Sequence, residues 1–142
     1  MFKNIRLRPE KSGTQVALYD LEADIMDEVW DRDWDAFSVR DVLEVLQQDR
    51  EIAYTTVMTT VKRLFDKGLL DREKDGRRYL YSPLINREEF HAQMALQVMR
   101  SLPESGREAA MSMLIDEMDG GEPLERLEAL IAAKKEQRDS DE

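Results

Sequence analysis

Residues 53–68, AYTTVMTTVKRLFDKG, run without a linker into residues 69–82, LLDREKDGRRYLYS. In the first stretch Val57, Val61, Leu64 and Phe65 recur at i, i+4, i+7 and i+8, the spacing of a helix that buries one stripe. Gly68 follows where a helix stops at C′. The second stretch changes period. Two short runs flank Asp75-Gly76, a strong type I′ hairpin dipeptide, and Tyr79 and Tyr81 alternate with Arg78 and Leu80 until Pro83 ends the run. A two-stranded hairpin is marginal alone in water, so it must lean on helices.

The flanking segments supply them. In residues 18–30, LYDLEADIMDEVW, the side chains of Leu18, Leu21, Ile25, Val29 and Trp30 share a face and the acids take the other. Residues 31–37 read as a loop. In SVRDVLEVLQQ, 38–48, Ser38 and Asp41 form a capping pair and Phe37 can staple onto Val42. Val39, Val42, Leu43 and Leu46 make the buried stripe there. A short connection, 49–52, is expected to hold one β-bridge residue at Ile52.

Beyond the hairpin, Asn86 and Glu89 cap a helix over about 86–102 that Pro103 ends. Ser105 and Glu108 open another helix to about Met118, and Gly120-Gly121 breaks it. Pro123 fits the first turn of a last helix carrying Leu124, Leu127, Leu130 and Ile131.

The expected class is mainly α with a small β-hairpin: a winged helix-turn-helix domain followed by C-terminal dimerisation helices. The expected organisation is a flexible basic arm (1–15), the winged-helix domain (16–84), a helical dimerisation region (85–135) and a disordered acidic tail (136–142). An apolar stripe outside a small domain needs a partner surface. Phe90, Met94, Val98, Leu102, Met111, Leu114, Met118, Leu124 and Leu127 are the dimerisation candidates.

In a winged helix-turn-helix the helix before the hairpin enters the major groove and the wing reaches flanking backbone. That explains an oddity. Thr55, Thr56, Thr59 and Thr60 sit in a helix although threonine costs up to roughly 0.7 kcal/mol each relative to alanine. Short side chains let a helix lie deep in a groove, with hydroxyls for phosphates or bases and methyls for thymine. Lys62, Arg63 and Lys67 follow, suited to backbone contacts, and Arg77 and Arg78 sit just past the expected wing turn.

The formal net charge of −10 argues against a nucleic-acid binder until it is divided along the chain. Residues 1–15 carry +3 and 52–82 carry +3, against −9 for 16–51 and −7 for 83–142. A basic footprint on an acidic body can still dock on DNA, because phosphate contacts follow the local field. The competing reading is a winged helix used for protein–protein interaction without DNA readout. The conjunction of threonine face, basic helix end and arginine pair favours DNA.

Other classes find little support. There is no cysteine, hence no disulfide, thiolate metal site or thiol nucleophile. No run approaches the roughly 20 apolar residues of a membrane span, and the basic N-terminus lacks the apolar run of a secretory signal. A cytoplasmic location is expected. No phosphate loop, nucleophile–base set or cofactor motif is visible, so neither an enzyme nor a cofactor or metal is expected. His91, the only histidine, reads as surface or packing.

YTTVMTTVKRLFDKGLLDREKDGRRYLYSPL, Tyr54 to Leu84, resembles the penicillinase-repressor (BlaI/MecI/CopY-type) transcriptional regulators, with their T-V-x-T-x-x-x-R-L-x-x-K-G-L-L-x-R helix and wing and a Y-x-Y second strand. LEADIMDEVW (21–30) is similar to the family's L-E-x-x-[IV]-M-x-x-[LV]-W opening, and SVRDVLEVL (38–46) to its second helix. The resemblance spans about residues 18 to 84 well and the C-terminal helices loosely. It implies a homodimeric repressor whose N-terminal domains each read half of a dyad operator. It also implies two inducing routes that this chain departs from. The copper-responsive branch uses C-terminal cysteines, which are absent. The antibiotic-responsive branch is cleaved at an Asn-Phe bond, whereas Asn4 and Asn86 precede Ile5 and Arg87.

Overall fold

The computed structural model describes residues 2–3, 5–118 and 121–141, in two compact units, Met1–Ala95 and Leu96–Glu142. A 3-10 turn, Gly13–Val16, precedes α1 (Asp20–Asp31), α2 (Val39–Leu46), α3 (Tyr54–Lys67), β1 (Leu70–Asp75), β2 (Arg78–Pro83), α4 (Arg87–Ser101), α5 (Glu104–Glu117) and α6 (Glu122–Ser140). α1 to β2 form a winged helix-turn-helix, and β1 and β2 pair antiparallel.

One core holds the first unit. Ile25, Met26 and Val29 of α1, Val42 and Leu46 of α2, and Val57, Val61 and Leu64 of α3 are all essentially without exposure. Leu18 lies ahead of α1 rather than within it, yet it is buried too. α2 is capped as expected: Ser38 Oγ accepts from Asp41 N–H at 3.2 Å, and Asp41 Oδ2 accepts from Ser38 N–H at 2.8 Å. Arg50, in the turn between α2 and α3, ion-pairs with Asp24 of α1 at 3.0 Å and with Asp49 at 3.1 Å. These two hydrogen bonds, Asp24 first, raise the Arg50 pKa further above its ordinary value.

Two helix ends set the paths of the loops. α1 closes in a Schellman motif: Trp34 N–H donates to Val29 O at 3.2 Å and Asp33 N–H to Trp30 O at 3.1 Å. Asp33 takes the left-handed position at φ 54°, which aspartate tolerates better than most residues. α3 closes likewise, with Leu69 N–H on Leu64 O, Gly68 N–H on Phe65 O and Gly68 at φ 91°. Leu69 is thereby buried and β1 starts one residue later.

The wing differs from expectation in register. Asp75 pairs with Arg78, so the two loop residues are Gly76 and Arg77, not Asp75 and Gly76. Gly76 at φ 65° takes the first central position, while Arg77 keeps a negative φ; glycine first is the type II′ pattern. Nothing lies within 4 Å of a Cβ built on Gly76, so the only cost of adding one is the backbone's. Gly76→Ala is expected to destabilise the first unit by about 1–2 kcal/mol, read as a lower urea midpoint at constant slope.

The isolated β-bridge expected at Ile52 is at Phe37, which exchanges hydrogen bonds with Tyr81 at 2.8 and 2.7 Å. The reason is packing: Phe37 stacks between Trp34 (5.6 Å) and Tyr81 (6.1 Å). The Trp30 indole N–H donates to Ile85 O at 2.9 Å, tying α1 to the chain leaving the wing.

The segment expected as a loose arm makes fixed contacts. Lys3 N–H donates to Lys67 O at 3.0 Å, and Phe2 meets the Phe90 ring edge-on at 5.3 Å. The Arg8 guanidinium donates to Gln15 O and Leu18 O. Thr14 is buried and donates to Asp27 Oδ1 at 2.9 Å, and His91 Nε2 lies 3.2 Å from the same hydroxyl. Phe2, Ile5 and Leu7 cover core edges, which a charge count cannot reveal.

Asn86 Oδ1 caps α4 by accepting from Glu89 N–H at 2.8 Å. In the second unit, α5 begins at Glu104 with Pro103 as N-cap, so Ser105 sits inside the first turn instead of capping it. Extended Pro103 supplies the entry geometry that the serine was expected to supply. Gly121 stands before α6 at φ 101°, and Gly120 lies outside the described residues. α6 continues to Ser140, through most of the stretch expected as a disordered tail. Ala132 to Arg138 are all good helix formers, so the helix needs no packing to continue.

Candidate nucleic-acid interface

α3 presents Thr55, Thr56, Thr59, Lys62 and Arg63 to solvent. With Thr60, the other three threonines and Arg63 line a shallow depression of about 280 Å³. Two of the threonines satisfy their hydroxyl donors within the helix: Thr59 Oγ1 donates to Thr55 O and Thr60 Oγ1 to Thr56 O, both at 2.8 Å. Among the described residues the Thr55 and Thr56 hydroxyls have no such intrachain acceptor, so their donors are uncommitted. Thr60 is a correction. It is only 5% exposed, turned towards the core side of the helix.

Lys67 is the larger correction. It is 8% exposed, and its Nζ lies 2.7 Å from Glu22 Oε1 of α1. Its place in α3, three residues after Leu64 and seven after Thr60, puts it on the same buried edge of the helix as Thr60. Lys62 is exposed and 3.3 Å from Asp66 one turn on, a weak surface pair.

The wing brings further cations. Arg77 sits in the turn itself rather than past it, and Arg78 is 3.4 Å from Asp75. A cleft of about 370 Å³ opens between the start of α2, α3 and β2, lined among others by Ser38, Arg40, Tyr54, Met58, Arg77 and Tyr79. Arg40 and Tyr54 escaped the sequence reading. The signal was present: Arg40 lies in the first turn after the Ser38 cap, and Tyr54 starts α3.

Arg72 was also missed. Its guanidinium lies 4.1 Å from the Phe65 ring centroid and 4.2 Å from that of Tyr79. The sandwich ties the wing to α3.

The dimerisation candidates divide. Phe90 and Met94 are buried within the first unit, Phe90 against Phe2 and Trp30 (5.8 Å). They sit on the first turns of α4, which still belong to that core. Val98, Met111 and Leu114 are exposed, Leu114 at 56%. Leu102, Met118, Leu124 and Leu127 are half-buried. Met113, Ile115, Leu130 and Ile131 are exposed apolar residues that the candidate set lacked.

Arg87 ties the start of α4 to α1, bonding Asp31 at 2.6 Å and Asp27 at 3.4 Å. The Asp31 bond raises the Arg87 pKa, and burial opposes it. Among the described residues no group of three or more His, Cys, Asp or Glu is placed to hold a metal ion, and no helix is long and apolar enough to cross a membrane.

The profile of the penicillinase repressor family matches residues 18–133. The chain is 36% identical over 106 residues to the transcriptional regulator BlaI of Mycobacterium tuberculosis (strain CDC 1551 / Oshkosh), covering 74% of this chain and 76% of that protein. It is 21% identical over 114 residues to the methicillin resistance regulatory protein MecI of Mammaliicoccus sciuri, covering 80% and 91%. A solution structure of the DNA binding domain of the repressor BlaI aligns with a TM-score of 0.45 at 26% identity, over 56% of this chain and 92% of that one. On the family match and the 36% identity, the chain belongs to the penicillinase repressor family.

Proposed function

We propose that this protein is a homodimeric, sequence-specific repressor of transcription. α3 lies in the major groove, the wing meets flanking backbone, and the second units of two copies pair so that two reading heads span a dyad operator. The observation that carries the reading is the outward face of α3. Thr55, Thr56, Thr59 and Arg63 form a shallow polar surface on a helix held from behind by fully buried Val57, Val61 and Leu64. Arg40, Arg77 and Arg78 border the same side and supply phosphate partners in a chain of net charge −10. The relatives named as transcriptional regulators support the same assignment.

Selecting fragments of genomic DNA with the full-length protein tests this and yields the operator. Affinity is expected to fall steeply with salt, and capture of no fragment leaves the protein-interaction reading standing. Two substitutions separate reading from anchoring. Thr56→Ala is expected to reduce discrimination between operator and other DNA by roughly 1–3 kcal/mol. Arg78→Gln is expected to weaken all sequences alike and to shallow the logarithmic salt slope by about 0.9. Fluorescence anisotropy on operator and scrambled duplexes at several salt concentrations measures both. If neither change alters binding, α3 and the wing are not the reading surface.

A further inference from the structure

We propose that the buried Lys67–Glu22 ion pair is a positioning device that sets the orientation of α3, and that neither residue touches DNA. The inference rests on α3 being the reading helix. Among the described residues this is the one ion pair with both side chains almost wholly buried, 10% and 3% exposed. Glu22 Oε1 accepts from Lys67 Nζ at 2.7 Å and from Tyr19 N–H at 3.0 Å, and the ammonium lies 5.0 Å from the Tyr19 ring centroid. Glu22 Oε2 is buried without a hydrogen-bond partner. On the backbone side, Lys67 O accepts from Lys3 N–H at 3.0 Å. The last residue of α3 is therefore gripped by α1 through its side chain and by the N-terminal segment through its carbonyl.

Such a pair is a poor stabiliser. Desolvating two charges cancels most of their attraction, and removing both together is often neutral or stabilising, whereas removing one strands the other. An ion pair does impose a direction that a greasy contact does not. Hydrophobic neighbours on α3 tolerate small rotations and slides; a 2.7 Å charged contact to α1 tolerates few. A reading face works only when held to within about 0.5 Å of its docking geometry. The Lys3 contact lies outside the residues matched by the family profile, so that part of the grip comes from a segment that precedes the matched region.

The test is the paired variant Glu22→Gln/Lys67→Met in the full-length protein, on operator DNA selected by the wild type. Glu22→Gln keeps an oxygen for the Tyr19 amide, and both charges leave together. The variant is expected to melt at or above the wild-type temperature, to bind operator about tenfold more weakly, and to keep the wild-type salt slope. Wild-type operator affinity overturns the proposal. So does a slope shallower by about 0.9 with equal weakening on all DNA, which makes Lys67 a phosphate contact. Failure of the wild type to select any DNA shows in its own measurement and overturns the reading of α3 itself. If the paired variant does not fold, amide exchange in Glu22→Gln decides: faster exchange confined to the last turn of α3 supports the grip, and a uniform rise across the first unit overturns it.

Discussion

Phe90→Ala is expected to destabilise the first unit by about 3–5 kcal/mol, the cost of a buried phenylalanine plus its cavity. Phe90 has no exposure and sits between Phe2 and Trp30, so the surrounding rings cannot close over the gap without moving α1 or the N-terminal segment. Against a typical total of about 5–15 kcal/mol, such a loss lowers the melting temperature of this unit by many degrees. Self-association is expected to survive at low temperature, because the exposed apolar residues of α5 and α6 are untouched. Sedimentation and thermal unfolding together check this. A variant that melts normally but dissociates reinstates Phe90 as a subunit contact.

Met111→Glu/Leu114→Glu is expected to do the reverse. Both residues are exposed on α5, none of whose described residues is fully buried, and in a pairing of copies through this face the glutamates would place charge in an apolar contact. The proposed dimer is then expected to separate into monomers. Linking two sites raises avidity by about 10²–10⁴, so operator affinity is expected to fall by that order while the first unit melts unchanged. Anisotropy on full and half operators measures it. A monomer that binds the full site as tightly as the wild type refutes dyad reading.

The winged part of the fold was legible because its signals are local. A 3.6-period stripe from Val57 to Leu64, a glycine stop at Gly68, a serine cap at Ser38 and a switch to period two each depend on a few neighbouring residues. What escaped depends on partners far along the chain. Lys67 looks like one more cation after Lys62 and Arg63 until Glu22, forty-five residues earlier, is placed beside it. Phe2 and Thr14 look like parts of a loose arm until Phe90 and Asp27 arrive. The hairpin register slipped by one for a different reason: both Asp-Gly and Gly-Arg can occupy a two-residue loop, and the pairing of Asp75 with Arg78 decides between them. In the candidate interface the exposed threonines followed from helix phase alone, but Thr60 did not, since it lies where the polar face meets the buried one.

The Arg72 sandwich, together with the two-residue connection between α3 and β1, couples the wing to α3 as the two jaws of a caliper. A caliper measures what it closes on. DNA whose minor groove beside the major-groove site is too wide or too stiff must be bent to fit, and that deformation costs energy set by base steps no side chain touches. Operators of this protein should therefore share conserved, uncontacted flanking steps, with A-tract or flexible pyrimidine–purine character, where the wing comes down.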